Sequence, residues 1–250
     1  MLRNLQPTIT DILEYALMSL MKMLKLFGPN EIELAWTSVV SCAIFYEEHV
    51  SRALLNILIL APFNLKARVA STILYAMPLR QGQPFARSIF QAFDDVRRAN
   101  IVDALFTTTE DACHQLGTGN KDVCVFIRAA FELLLEVTQH EVPRAQLLNL
   151  LKSDRRFPHR ILFDPTFREL DGKDTAAKYR GTAAILSLVD RFLQADSQLN
   201  TIWSSYCTDY ESMEKRHDDN SIRLATSTIL SNLQGLPNDD IDVFARQYLP

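Results

Sequence analysis

The stretch NKDVCVFIRAAFELLLEV, residues 120–137, decides the fold of this chain. Asn120 is a residue type favoured at helix N-caps, where its side-chain oxygen satisfies an otherwise unpaired N–H. Behind it Val123, Cys124, Phe126, Ile127, Ala130, Phe131, Leu133, Leu134, Leu135 and Val137 recur at spacings of three and four. Apolar side chains on most of the circumference predict a central helix packed on several faces. Such a helix needs other helices around it.

Working outward, the same punctuation repeats in both directions. Upstream, Gly117 to Asn120 form a turn, and Thr107 with Glu110 has capping-box spacing, predicting a short helix to Leu116 after one over residues 96–106. Pro84 sits in the first turn of the helix before that, and Pro62 with Asn64 opens one that ends near Met77-Pro78. Residues 32–61 are too long for one ordinary helix and bend at Glu47-Glu48-His49. The first helix, residues 9–27, stops at Gly28-Pro29, and Asn30 with Glu33 caps the next. Downstream, Pro143 starts a helix through Leu151, and helical pattern resumes over residues 175–195, 199–213, 221–233 and 239–248.

The expected fold is therefore all-α, with about eleven antiparallel helices. Helices joined by short turns in up-and-down order resemble, in rhythm, an α-solenoid of HEAT or armadillo type as closely as a compact helical bundle. No self-similar period of roughly 34 to 47 residues supports a particular repeat family. Residues 1–250 read as one helical domain, subdivided near residues 153–171. There Pro158 and Pro165 forbid a continuous helix, while Phe157, Ile161, Leu162, Phe163 and Phe167 forbid a flexible linker. An ordered, non-helical excursion of this length is more often functional than an average connection.

Composition is that of an ordinary globular protein, 48% hydrophobic and 22% charged, and 7 Gly and 10 Pro leave few turns for an all-β plan. Cys42, Cys113, Cys124 and Cys207 form no CxxC pair and read as reduced core thiols, which suits the cytoplasm or nucleus. Asp11, Glu14, Lys22 and Lys25 interrupt the apolar residues 9–27, so they do not read as a secretory signal. The longest apolar run, residues 53–61, is broken by Asn56 and falls far short of the roughly 20 residues that span a bilayer. The chain is expected to be intracellular and without a membrane segment.

No chemistry-bearing motif holds up. Gly117-Thr118-Gly119-Asn120-Lys121 lacks the spacing and the preceding strand of a phosphate-binding loop. The five histidines lie in separate segments with no partner one helical turn away, and Cys113 and His114, as neighbours on a helix, diverge by about 100°. Asp94-Asp95 begins the aspartate-rich pattern of helical diphosphate enzymes, but Arg98 stands where a further aspartate would be needed. No nucleophile elbow is present. The expectation is a chain that is not an enzyme and uses no cofactor, metal or small-molecule substrate.

Charge distribution says more. Residues 144–191 carry ten Lys or Arg against six acids, a balance of +4, whereas residues 192–250 carry four against nine, a balance of −5. Arg155-Arg156-Phe157-Pro158-His159-Arg160 is the sharpest local feature, mixing forked cationic donors with aromatics. Arg155, Arg156, Phe157 and Arg160, with Arg168 and Lys173, are the candidate contact residues for an acidic partner. The reading is a scaffold or adaptor subunit that binds proteins in a larger complex. The alternative is a helical, nucleocapsid-like protein that binds nucleic acid through residues 144–191. A whole-chain charge of −4 and a pI near 5.8 weigh against that alternative.

Overall fold

The computed structural model describes residues 48–76, 89–90 and 100–235. Every described element is helical, and no strand occurs among the described residues. The helices expected over residues 9–27 and 239–248, the Asn30 and Glu33 capping box, Cys42 and Asp94-Asp95 lie outside them. Contacts divide the chain into two compact units, Met1–Leu147 and Leu148–Pro250.

The first unit contains α1 (Glu48–Leu60), α2 (Phe63–Ala76), α3 (Ile101–Leu116), α4 (Lys121–Val137) and the start of α5 (Glu141–Ser153). Helix α4 is the residue 120–137 stretch, and Asn120 Oδ1 accepts the Asp122 N–H at 2.9 Å as its cap. It packs against both α2 and α3, so Val123, Phe126, Ile127, Ala130, Phe131, Leu133, Leu134 and Val137 are all fully buried. Leu135 is half-buried and only Val125 among its apolar residues faces out. The Phe63 ring meets Phe126 at 5.4 Å, joining α2 to α4. Buried Lys66 donates its ammonium to the Ile59 carbonyl at 2.8 Å. That places a cation at the negative, C-terminal end of α1.

Helix α3 corrects the sequence reading. It runs unbroken through Thr107, because Asn100 Oδ1 accepts the Val102 and Asp103 N–H groups and starts the helix seven residues earlier. Once residues 101–106 are helical, Thr107 cannot adopt the extended backbone of a cap, and the capping-box spacing is coincidental. Pro143, by contrast, lies where expected, in the first turn of α5, where its missing N–H has no helical acceptor to lose.

The second unit contains the end of α5, α6 (His159–Leu162), α7 (Pro165–Lys173), α8 (Arg180–Ala195), α9 (Ser197–Trp203), a 3-10 turn (Ser204–Tyr206), α10 (Cys207–Arg216) and α11 (Asn220–Gln234). Helix α8 buries Ile185, Leu188, Val189 and Phe192 and packs against α7, α9 and α11, while α10 packs on α11. Asn232 donates to Asp190 at 2.9 Å across the α8 to α11 contact, and burial raises the Asp190 pKa.

Two further expectations change here. Residues 153–171 are ordered but not a non-helical excursion: they hold α6 and most of α7. The prolines stop a continuous helix yet stand at helix starts, Pro158 as the residue before α6 and Pro165 in the first turn of α7, where the fixed proline φ suits a helix. The helix expected over residues 175–195 begins only at Arg180, because Tyr179 takes a left-handed backbone with φ of 59°. Likewise residues 199–213 split into α9, the 3-10 turn and α10. No described helix is long and apolar enough to cross a membrane.

Candidate functional site

The basic turn after α5 is built from buried anchors with arginines between them. Asp154 Oδ1 accepts the Arg156 N–H at 3.0 Å, and Trp203 Nε1 donates to the Arg155 carbonyl at 3.1 Å, which fixes the turn from both sides. Phe157, Pro158 and His159 are buried, whereas Arg155, Arg156 and Arg160 are exposed. Phe157, which the sequence placed among the contact residues, has none of its side chain at the surface and holds the turn down. Arg160 is partly neutralised by Asp154 at 3.4 Å. Among the described residues, Arg155 and Arg156 engage no acid through their side chains.

Beneath this turn lies an aromatic cluster centred on His159. Its ring stacks on Tyr206 at 4.2 Å and 10°, meets Trp203 edge-on at 4.7 Å and Tyr210 at 5.7 Å, and has Phe163 at 6.2 Å. Among the described residues, neither ring nitrogen finds a hydrogen-bond partner, nor does the buried Tyr210 hydroxyl. Desolvation holds the imidazole pKa down at about 3 and pushes the Tyr210 phenol up. His159 is thus neutral and serves as a flat ring that packs among other rings. Tyr206 is half-buried and feels the charges of Arg156 and Arg160.

Arg168 and Lys173 do not join this turn. Lys173 pairs with Glu169 one helical turn away on α7. Arg168 lines a separate cleft of about 380 Å³ with Pro165, Glu169, Tyr179, Arg216, His217 and Asp218. The frame of that cleft is tied by buried hydrogen bonds. Buried Asp171 on α7 accepts the Thr182 N–H and hydroxyl, both at 2.8 Å, and the Gly181 N–H at 3.3 Å, capping α8 from a neighbouring helix. Gly181 is required there, since a Cβ would lie 2.8 Å from Phe167 Cζ and 3.1 Å from Asp171 Oδ1.

Tyr179 then crosses to the α10 to α11 turn. Its hydroxyl donates to Asp218 Oδ1 at 2.6 Å, and its ring meets His217 edge-on at 4.5 Å. Lys178 pairs with Asp218 at 3.2 Å, and these two hydrogen-bond donors lower the Asp218 pKa. His217 Nδ1 accepts the Asp219 N–H at 3.1 Å, so in the neutral ring the proton sits on Nε2. Burial, and then the Arg168 charge, lower the His217 pKa against the opposing pull of Asp218 and Asp219.

Sequence reasoning named Arg168 but missed Arg216 and His217. Lys215-Arg216-His217 is a basic triplet inside the acidic final quarter of the chain, and its charge vanished in the regional balance. Comparison with known protein families, curated proteins and solved structures finds no match.

Proposed function

We propose that this chain is a non-enzymatic, intracellular helical adaptor or scaffold subunit, packed in the manner of HEAT or armadillo helices or as a compact bundle. Its second unit binds an acidic segment of a partner protein through the turn bearing Arg155, Arg156 and Arg160. The observation that carries this reading is the pairing of two exposed, acid-free guanidinium groups with a backbone locked by Trp203 and Phe157. Arginine forks match carboxylates bidentately, and a turn already held in place loses little further freedom on binding. The neighbouring Asp154 and Asp209 limit the positive surface to a small area, which suits a short acidic segment better than a nucleic-acid backbone.

The test is the double change Arg155→Glu with Arg156→Glu, followed by co-purification of partners from the native source and a thermal melt. Partner recovery should fall at least tenfold, while stability shifts by no more than roughly 1 kcal/mol, as for solvent-exposed charges. Undiminished recovery of the partner would remove this turn from the interface. Recovery of nucleic acid instead, weakening steeply with salt, would favour the nucleocapsid-like alternative.

A further inference from the structure

We infer that the cleft formed by Arg168, Arg216 and His217 is a second binding site, independent of the Arg155 turn, for a phosphoryl group carried on a protein segment. The charges around it make the case. Of the two carboxylates lining the cleft, Glu169 is engaged by Lys173, and Asp218 by both Lys178 and the Tyr179 hydroxyl. Asp219, next in the chain, is occupied in capping α11 through the Ser221 and Ile222 N–H groups. Among the described residues, Arg168 and Arg216 form no ion pair and no side-chain hydrogen bond. Each acid at the rim is answered by its own partners, and the two arginines remain uncompensated.

The number of donors lining the cleft favours phosphate over carboxylate. One arginine fork suffices for the two oxygens of a carboxylate, whereas two forks and an imidazole N–H can share the three terminal oxygens of a phosphoryl group. His217 supplies that N–H from Nε2, because Nδ1 is held as an acceptor by the Asp219 backbone. The dianion of a phosphomonoester would also balance the two uncompensated charges. Pro165 and the Tyr179 ring border the cleft and offer apolar surface to residues flanking the phosphoryl group.

The surroundings select the carrier. Asp209, Glu211 and Glu214 lie on the same helix as Arg216, so an extended anionic surface such as a membrane or a nucleic acid would meet carboxylates outside the cleft. A single phosphoryl group on a flexible chain avoids them.

Titration calorimetry of the full chain tests the assignment with a short phosphoserine peptide, its unphosphorylated twin, inorganic phosphate and vesicles of phosphatidylserine. The phosphoserine peptide should bind saturably and its twin should not. Arg168→Gln and Arg216→Gln should each weaken binding at least tenfold with unchanged thermal midpoints, while Arg155→Glu with Arg156→Glu leaves it intact. The His217 ring protons, followed by NMR, should shift on saturation with the phosphoserine peptide and not with its twin. Peptide binding indifferent to both glutamine variants overturns the site. Binding of inorganic phosphate or of vesicles without the phosphopeptide overturns the protein carrier.

Discussion

Replacing His159 by Phe should flatten the dependence of stability on pH. The folded imidazole is held at about 3 by burial against an ordinary value of 6.5. As pH falls below 6.5 the unfolded chain takes up a proton that the folded chain refuses until near pH 3, so stability present above 6.5 is lost progressively across that window. The slope within it is about 1.4 kcal/mol per pH unit for one group, which gives a loss of about 2 kcal/mol between pH 7 and pH 5. Because the ring is fully buried, solvent screening does little to reduce this figure. His159→Phe keeps a ring against Tyr206 and Trp203 and removes two nitrogens that have no partner among the described residues. Urea titrations of both proteins at pH 7, 6 and 5 measure the difference, and comparing them cancels the smaller contributions of Asp190, whose pKa is raised, and His217, whose pKa is lowered. Parallel profiles would refute the reasoning, since they would mean that the folded imidazole protonates as readily as the unfolded one.

Other perturbations separate core from surface. Leu134→Ala on α4 removes a fully buried side chain and should lower stability by about 2 to 5 kcal/mol, measured by denaturant unfolding, with a loss below about 0.5 kcal/mol marking a misread helix. Phe157→Ala should destabilise by about 3 to 5 kcal/mol, in contrast to the neighbouring arginines, and an unchanged melting temperature would show that Phe157 is not the anchor of the turn. Gly181→Ala places a methyl group against the buried Phe167 ring and the Asp171 carboxylate and should cost about 1 to 3 kcal/mol; a stabilised protein would show that this contact can relax.

The α class was legible because its signals are local. Asn120 and the apolar spacing of residues 120–137 act within a few residues of themselves, through one cap hydrogen bond or one face of a helix, and the structure has both as read. The exposure of Arg155, Arg156 and Arg160 was likewise foreseeable, because charged side chains stay in water while the neighbouring aromatics are buried.

Where local signals compete, packing decided. The Thr107 and Glu110 spacing predicted a cap, but the structure starts the helix at Asn100, which sequence reading had not singled out, and after that the Thr107 pattern could not operate. Prolines in residues 153–171 said only where helices must break, and whether the pieces between them coil depended on burying Phe157, Ile161, Leu162 and Phe167. Tyr179 gave no sign of a left-handed backbone, which arises because Asp171, on another helix, captures the first N–H groups of α8. The neutrality of His159 comes from Trp203, Tyr206 and Tyr210, and the charge of the Arg168 cleft from Arg216 and His217, all distant in the chain. Caps and apolar spacing act between neighbours in sequence, so the sequence determined the helical class; helix boundaries in dispute, burial, desolvation and the pairing of charges depend on neighbours in space, which only the tertiary structure brings together.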